Sequence, residues 1–172
     1  MAATVEARIF TGASEGTGAS AEGGIKFNRE DTATGTTEIP KPTATGTAYS
    51  YKKSLALFVT ANGGTTISNR QIRWASSPST GLTGHFKPDV TTYSQATSGN
   101  QPADSGSNDA TPSGFTALTT TLQVYDSAGT TATNSTRNGD FVELVGGVSN
   151  LYLGGAGTNI ASPNLEITYD EA

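Results

Sequence analysis

The sequence predicts an all-β protein, an antiparallel β-sandwich of the jelly-roll or Ig-like type with long irregular loops and extended arms. Composition is the first indication, because the chain has 29 Thr, 17 Ser and 21 Gly in 172 residues while charged residues make up only 15%. Thr suits a half-exposed pleated surface, and Gly and Ser are typical of turns. The second indication is the alternation of apolar and polar residues in short segments, and the third is an Asn-Gly turn between two apolar runs.

The alternation marks several candidate strands. A period of two residues gives one buried and one wetter face, which is typical of antiparallel sheets. The apolar positions that carry it are Val5, Ala7 and Ile9; Ile25 and Phe27; Leu55, Leu57 and Val59; Leu118, Leu122 and Val124; and Leu165, Ile167 and Tyr169.

The segment Ala61–Thr65 contains Asn62-Gly63, which tolerates positive φ and predicts a hairpin with Val59 opposite Ile67. Ile67 is odd-numbered, whereas Ile72 and Trp74 are even-numbered, so a straight strand would point them to opposite faces. We therefore expect a bulge or bend around residues 68–70, or a strand covered on both sides there.

We expect a single domain over residues 1–172 with two irregular segments. The first is an arm over about 30–48, in which Ile39-Pro40-Lys41-Pro42 favours an extended path with few ladder hydrogen bonds. The second is a polar loop over about 96–114. Long loops in compact domains tend to be functional or disordered. On the functional interpretation, Ile39, Pro40, Lys41 and Pro42 are candidate partner contacts, together with this loop and the chain termini.

Charge and composition exclude several classes of protein. A net charge of −5 and a pI near 4.7 argue against a nucleic-acid binder, which needs a basic face. No apolar run of about 18 residues is present, so we expect no membrane span. The first residues lack the basic and apolar regions of a signal peptide. The absence of Cys excludes disulfides and thiolate metal sites.

Candidate catalytic residues are few. His85 is the only histidine and cannot form a His-rich metal site. Glu143 and Glu166 are the candidate pair for a glycosidase, which needs two acids flanking a cleft. Alternation explains both as outward-facing residues without any chemistry. We therefore expect that the protein is not an enzyme and that it has no catalytic residue.

Candidate ligand sites are equally sparse. Residues 16–21 match the G-x-G-x-x-A pattern of nucleotide-binding turns, but a strand pattern follows where that motif needs a helix. Asp104, Asn108 and Asp109 could contact a cation, although they lack the EF-hand spacing and suit a solvated loop better. We expect no cofactor and no metal.

Aromatic residues leave one alternative of a different class. Trp74, Tyr49, Tyr51 and Tyr93 could form a platform on which sugar rings stack, as in a carbohydrate-binding module. The ordinary interpretation is that these side chains pack in the core or at its rim.

The order of three segments carries a family resemblance. Lys26-Phe27-Asn28-Arg29-Glu30-Asp31, then Ile39-Pro40-Lys41-Pro42, then Tyr49-Ser50-Tyr51-Lys52-Lys53-Ser54-Leu55 resembles a pattern in small virion structural proteins of tailed bacteriophages. The resemblance covers roughly residues 5–75, and the remaining half is compatible with it. It implies a β-sandwich or jelly-roll protein of the particle, without a catalytic motif.

Within that class, the resemblance implies a capsid decoration (cement) protein that binds the outside of the major-capsid lattice and stabilises it. Its partners would be the major capsid protein and copies of itself, in a homo-oligomer, with no nucleic acid and no membrane. It would be made in the host cytoplasm without a signal peptide and would end on the capsid surface. A tail, neck or fibre component is the alternative within the virion.

Overall fold

The computed structural model describes residues 1–22, 24–32, 35–43, 45–97, 112–153, 160–161 and 164–172. These residues contain strands, turns and irregular chain, and no helix. The strands are β1 (Thr4–Phe10), β2 (Ala19–Ser20), β3 (Lys26–Phe27), β4 (Thr47–Tyr49), β5 (Lys53–Ala61), β6 (Thr66–Trp74), β7 (Leu82–Val90), β8 (Thr116–Ala117), β9 (Gln123–Asp126), β10 (Thr130–Thr131), β11 (Thr136–Ser149), β12 (Ile160–Ala161) and β13 (Leu165–Glu171).

Two antiparallel sheets face each other across one core. The large sheet has seven strands in the order β2-β1-β5-β11-β7-β8, and β4 also pairs with β11. The small sheet has four strands in the order β10-β6-β13, and β9 also pairs with β6. The predicted all-β antiparallel sandwich is therefore confirmed. The shared core contains, among others, Ile9, Leu55, Phe86, Val142 and Leu144 from the large sheet and Ile72, Trp74 and Tyr125 from the small one.

Strand β5 is buried on both faces, although its sequence predicts only one. Leu55, Leu57 and Val59 face the small sheet as predicted, and all three are buried. On the other face Ala56 and Phe58 join a separate buried cluster with Phe10 and Phe141. The large sheet therefore has apolar packing on both sides in its middle.

Irregular chain covers that outer cluster. Tyr93 packs against Phe141, and its hydroxyl donates a hydrogen bond to the Gly12 carbonyl oxygen at 2.8 Å. The guanidinium of Arg137 lies 4.2 Å from the centre of the Phe141 ring and donates to Glu15 Oε1 at 2.7 Å. The segments that follow β1 and β7 thereby form a thin third layer over the large sheet.

The hairpin predicted at residues 61–65 is wrong. The turn chemistry is as expected, because Asn62 and Gly64 both have positive φ, of 56° and 113°. However, β5 pairs with β1 and β11, whereas β6 belongs to the small sheet. The turn therefore carries the chain from one sheet to the other, and Val59 and Ile67 meet in one cluster across the core.

The irregularity predicted at residues 68–70 is confirmed. Thr168 pairs with Gln71, but Asp170 pairs with Ser68, so β6 contains one extra residue between these positions. Asn69 has the positive φ, 48°, that such a bulge requires. Because of the bulge, Ile67 and Arg70 both point inward although three positions separate them.

Arg70 is fully buried and makes the central polar contact of the sandwich. One guanidinium nitrogen donates to Asp126 Oδ2 at 2.9 Å and to the Ala128 carbonyl at 2.8 Å. The other donates to the Ile67 carbonyl at 2.9 Å and to the Asn138 side chain. A buried ion pair is tolerated when its remaining hydrogen-bonding positions are filled, as most are here.

Strand β11 is deformed at the same place. Asn138 pairs with Leu57 and Val142 with Leu55, so β11 carries two extra residues there. One is Gly139, whose φ is 77° and whose hypothetical Cβ would lie 2.4 Å from both Arg70 Cζ and Asp126 Oδ2. Only glycine leaves room for the ion pair at this position.

Two further predictions differ in outcome. Alternation in the last strand is confirmed, because Leu165, Ile167 and Tyr169 pack against the core clusters. The common face predicted for Leu118, Leu122 and Val124 is wrong, since Leu122 and Val124 are 38% and 46% exposed. The chain is irregular between β8 and β9, which resets the alternation so that Tyr125 is the buried residue.

The described part of the predicted arm has little ladder pairing, and residue 39 forms an isolated bridge before β4 begins. The start of the arm is not extended, because it folds back so that Arg29 N–H donates to the Thr37 carbonyl oxygen at 2.9 Å. Most of the predicted polar loop, residues 98–111, lies outside the described residues.

Replacing Asp126 by Asn is expected to lower the free energy of unfolding by about 3–5 kcal/mol, because Arg70 is left buried without a counter-charge. The matched control is Glu166→Gln, which breaks the half-exposed pair with Arg73 and should cost less than about 1 kcal/mol. Urea unfolding followed by tryptophan fluorescence measures both. Equal losses of unfolding free energy in the two variants would contradict the conclusion that the buried Arg70–Asp126 pair matters more for stability than the exposed Arg73–Glu166 pair.

Candidate functional site

An open groove of about 680 Å³ lies between one edge of each sheet. Its walls are β1 and β13, and its floor is formed by Leu55 and Leu57 of β5. Ala21, Glu22 and residues 24–26 line the remaining side. The two sheets are thus not fully closed against each other here, and half-buried apolar side chains are accessible from outside.

Both walls of the groove are sheet edges in the described part of the chain. Strand β13 pairs with β6 alone. On the side of β1 away from β5, pairing with β2 covers only Arg8 and Ile9, and the Ala7 carbonyl accepts a hydrogen bond from Ala21 N–H. Thr4, Val5 and Glu6 therefore present a strand edge that another extended segment could pair with.

The lining of the groove has the pattern expected for contact with an extended polypeptide. Its apolar residues follow the two-residue period of the walls: Val5 and Ala7 on β1, and Leu165, Ile167 and Tyr169 on β13. The polar residues Glu6, Glu22, Lys26 and Asn164 complete the lining. Glu6 forms an ion pair with Arg8.

A second feature, the buried Lys53, ties the arm to β5. Its ammonium donates to Asn28 Oδ1 at 2.7 Å and to the Glu30 and Thr32 carbonyls, the latter at 3.0 Å. Burial lowers the pKa of Lys53 to about 8, against the smaller opposing effects of Asp31 and Glu30.

The candidate contacts Ile39, Pro40, Lys41 and Pro42 differ in accessibility. Ile39 is fully buried in the main core, and Pro42 is buried as well. Pro40 and Lys41 are half-buried. Ile39 and Pro42 therefore anchor this part of the arm, and of the four candidate contacts only Pro40 and Lys41 are accessible to a partner while Ile39 and Pro42 stay buried. That a partner binds there stays a prediction.

The aromatic platform is not assembled. Trp74 is only 2% exposed and packs edge-to-face against Phe27, with Gly84 directly beneath its ring. Tyr49 is also buried, against His85. Tyr51 and Tyr93 are half-buried, and Tyr93 belongs to the outer layer described above. The core interpretation of Trp74 is thus correct.

The two glutamates of the glycosidase hypothesis lie on different sheets. Glu143 is on the outer face of β11, buried, with its carboxylate 2.5 Å from Lys52 Nζ and 3.9 Å from Lys87 Nζ. Glu166 is on β13 and pairs with Arg73. Both point away from the core as alternation predicts, and each is neutralised by its own cation.

The remaining candidates offer no site in the described residues. No group of three or more His, Asp or Glu residues there could hold a metal ion. Asp104, Asn108 and Asp109 lie outside the described residues. The glycine-rich residues 16–21 run into β2, without the helix that a nucleotide-binding turn needs.

Sequence reasoning missed the groove, Lys53 and the Arg70–Asp126 pair. The parity break after Ile67 was a signal for an unusual β6, but nothing in the pattern marks Arg70 as its inward residue. The groove depends on which strands end at the sheet edges, and the mistaken hairpin placed β5 and β6 in one sheet.

The fold is that of an all-β sandwich protein, and an open, largely apolar groove lies between strands β1 and β13. Comparisons with known protein families, with curated proteins and with solved structures find no match to this chain. Among the described residues there is no helix that is long and apolar enough to cross a membrane.

His85 gives a prediction about acid stability. Burial lowers the pKa of this histidine, and its Nδ1 has no hydrogen-bond partner among the described residues. The unfolded chain, with a pKa near 6.5, therefore binds a proton before the folded protein does, and stability falls as the pH drops below about 6.5. The difference in unfolding free energy between pH 7.5 and 5.5 should shrink in His85→Gln. An unchanged difference in urea titrations would contradict this role.

Proposed function

We propose that this protein is a virion structural protein, and specifically a capsid decoration protein that binds the outside of the major-capsid lattice. The groove between β1 and β13 is the observation that carries the proposal, because it offers two strand edges and an apolar floor to an extended segment of a neighbouring protein. The order of segments within residues 5–75, which resembles small phage virion proteins, supports the same class.

The occupant that fits the groove is an extended segment of the major capsid protein. A strand lying along β1 or β13 would gain main-chain hydrogen bonds from the free edge. Alternate side chains of that strand would enter between Val5 and Ile167 and reach Leu57. Recognition of this kind needs no charged pocket, which agrees with the low charge content of the chain.

The hydrogen bonds between the two ends of the chain are consistent with a component of a stable particle. The N-terminal segment is fixed to the C-terminal one, since Ala3 N–H donates to Glu171, and Ala172 exchanges two backbone hydrogen bonds with Thr66. A carbohydrate-binding module built on Trp74 is not proposed, because the ring is buried.

Cosedimentation with empty capsids, assembled from the major capsid protein of the same genome, tests the proposal. The wild-type protein should pellet with the capsids, and Val5→Lys should bind at least about tenfold more weakly, because it places a charge in the groove (about 1.4 kcal/mol). The matched control is Thr168→Lys, whose side chain lies on the other face of β13 and should leave binding unchanged.

Two results would count against different parts of the proposal. Wild-type protein that stays in the supernatant at micromolar concentration contradicts capsid decoration. Equal binding by a folded Val5→Lys variant contradicts the groove as the docking site. Copy number per particle separates the tail, neck or fibre alternative, since a lattice decoration is present in far more copies than a component of a single vertex.

A further inference from the structure

The side chains of Asn28 and Lys53 meet in the protein interior in an arrangement that suits a covalent reaction. Asn28 is 0% exposed and follows β3, and Lys53 is 1% exposed and begins β5. The Lys53 Nζ atom lies 2.7 Å from Asn28 Oδ1, so the amine is next to the carboxamide carbon. Effective molarity is high for groups held in this way.

Burial makes the neutral, nucleophilic form of Lys53 more accessible than in an exposed lysine, although the charges of Asp31 and Glu30 act in the opposite direction. As an ammonium group Lys53 donates to three uncharged oxygens, those of the Asn28 side chain and of the Glu30 and Thr32 backbone, and loss of one proton leaves two donors and a lone pair. Burial lowers the pKa of Lys53 to about 8. Only the neutral amine can attack a carbonyl carbon, so the lowered pKa makes the attack possible at mildly alkaline pH.

The Asn28 carboxamide is held at both ends. Its Oδ1 accepts a second hydrogen bond from Glu30 N–H, at 3.2 Å, and its Nδ2 donates to the Gly35 carbonyl oxygen at 2.8 Å. The backbone N–H stabilises the negative charge that develops on Oδ1 when the carbon is attacked. The bond from Nδ2 fixes the orientation of the leaving nitrogen.

We propose that Lys53 Nζ attacks Asn28 Cγ and forms an intramolecular amide bond with release of ammonia. The Nζ–Cγ bond forms, the Cγ–Nδ2 bond breaks, and one proton passes from Nζ to Nδ2, so that neutral amine and carboxamide give amide and NH₃. No oxidant or other reactant takes part. Asp31, whose carboxylate accepts a hydrogen bond from Gly12 N–H at 2.8 Å, is one of the two carboxylates whose charge acts on Lys53.

The bond would join the arm that follows Asn28 covalently to β5, so that the two segments would stay connected even in the unfolded chain. Such a cross-link limits the unfolded chain in the same manner as a disulfide, in a protein that has no Cys. This inference stands apart from the proposed function, because it concerns the isolated protein and requires no capsid.

Intact-mass spectrometry of the full chain, after incubation at pH 8, tests the proposal. The folded wild-type protein should be lighter than its sequence mass by one ammonia, about 17 Da. Lys53→Met should keep its full sequence mass, whereas the matched control Lys52→Met should show the same loss as the wild type. Folded wild-type protein, verified by circular dichroism, at full sequence mass would overturn the proposal.

Peptide mapping makes the test specific, and it does not depend on whether Lys53→Met folds. Trypsin should release a branched species in which Phe27–Arg29 is joined to a peptide that starts at Lys53, because modified Lys53 is no longer a cleavage site. Succinimide formation at Asn62-Gly63 or Asn138-Gly139 also removes ammonia, but it gives linear peptides. Ammonia loss found only in those linear peptides would overturn the proposal as well.

Discussion

The buried Arg70–Asp126 ion pair is the contact on which the arrangement of the two sheets depends. It joins β6 and β9 of the small sheet to β11 of the large one, because Asp126 also accepts the backbone N–H of Asp140 at 2.8 Å. The irregularities in β6 and β11 make room for this ion pair. The extra residue in β6 turns Arg70 inward, and Gly139 in β11 leaves space for the guanidinium. A buried charge cannot remain without these partners, so both registers are fixed together.

The same contact explains where the sandwich is closed and where it is open. Strands β9 and β10 pack over β11 and β7, and there the polar network holds the sheets together. On the opposite side β13 approaches β1, where the contacts are apolar and incomplete, and the groove results. The sandwich is therefore held by a polar network at one side and is open at the other, which is where we propose that a partner strand binds. The proposed docking site follows from this asymmetry.

Period-two alternation predicted the strands that have one dry face, such as β1 and β13, and the parity conflict between Ile67 and Ile72 predicted the bulge. Alternation failed where the environment is dry on both sides, as for Ala56 and Phe58 in β5.

The Asn62-Gly63 turn shows a different limit, because the same positive-φ geometry can close a hairpin or lead the chain to a second sheet. Local sequence does not distinguish these outcomes, since the choice depends on strands far away in the chain. The buried partners of Arg70 and Lys53 were unpredictable for the same reason: Asp126 and Asn28 are distant in sequence and acquire their roles only in the fold.

Native-state hydrogen exchange tests the central role of the ion pair most directly. The backbone amides of Ala128 and Asp140 both donate to Asp126, at 2.9 and 2.8 Å. If the network holds the sheets in register, both amides exchange only through global unfolding, with the same free energy of opening as the core amides of β5. Exchange of these two amides at a free energy well below that of β5 would show that the network opens while the sandwich stays folded, and would contradict the account.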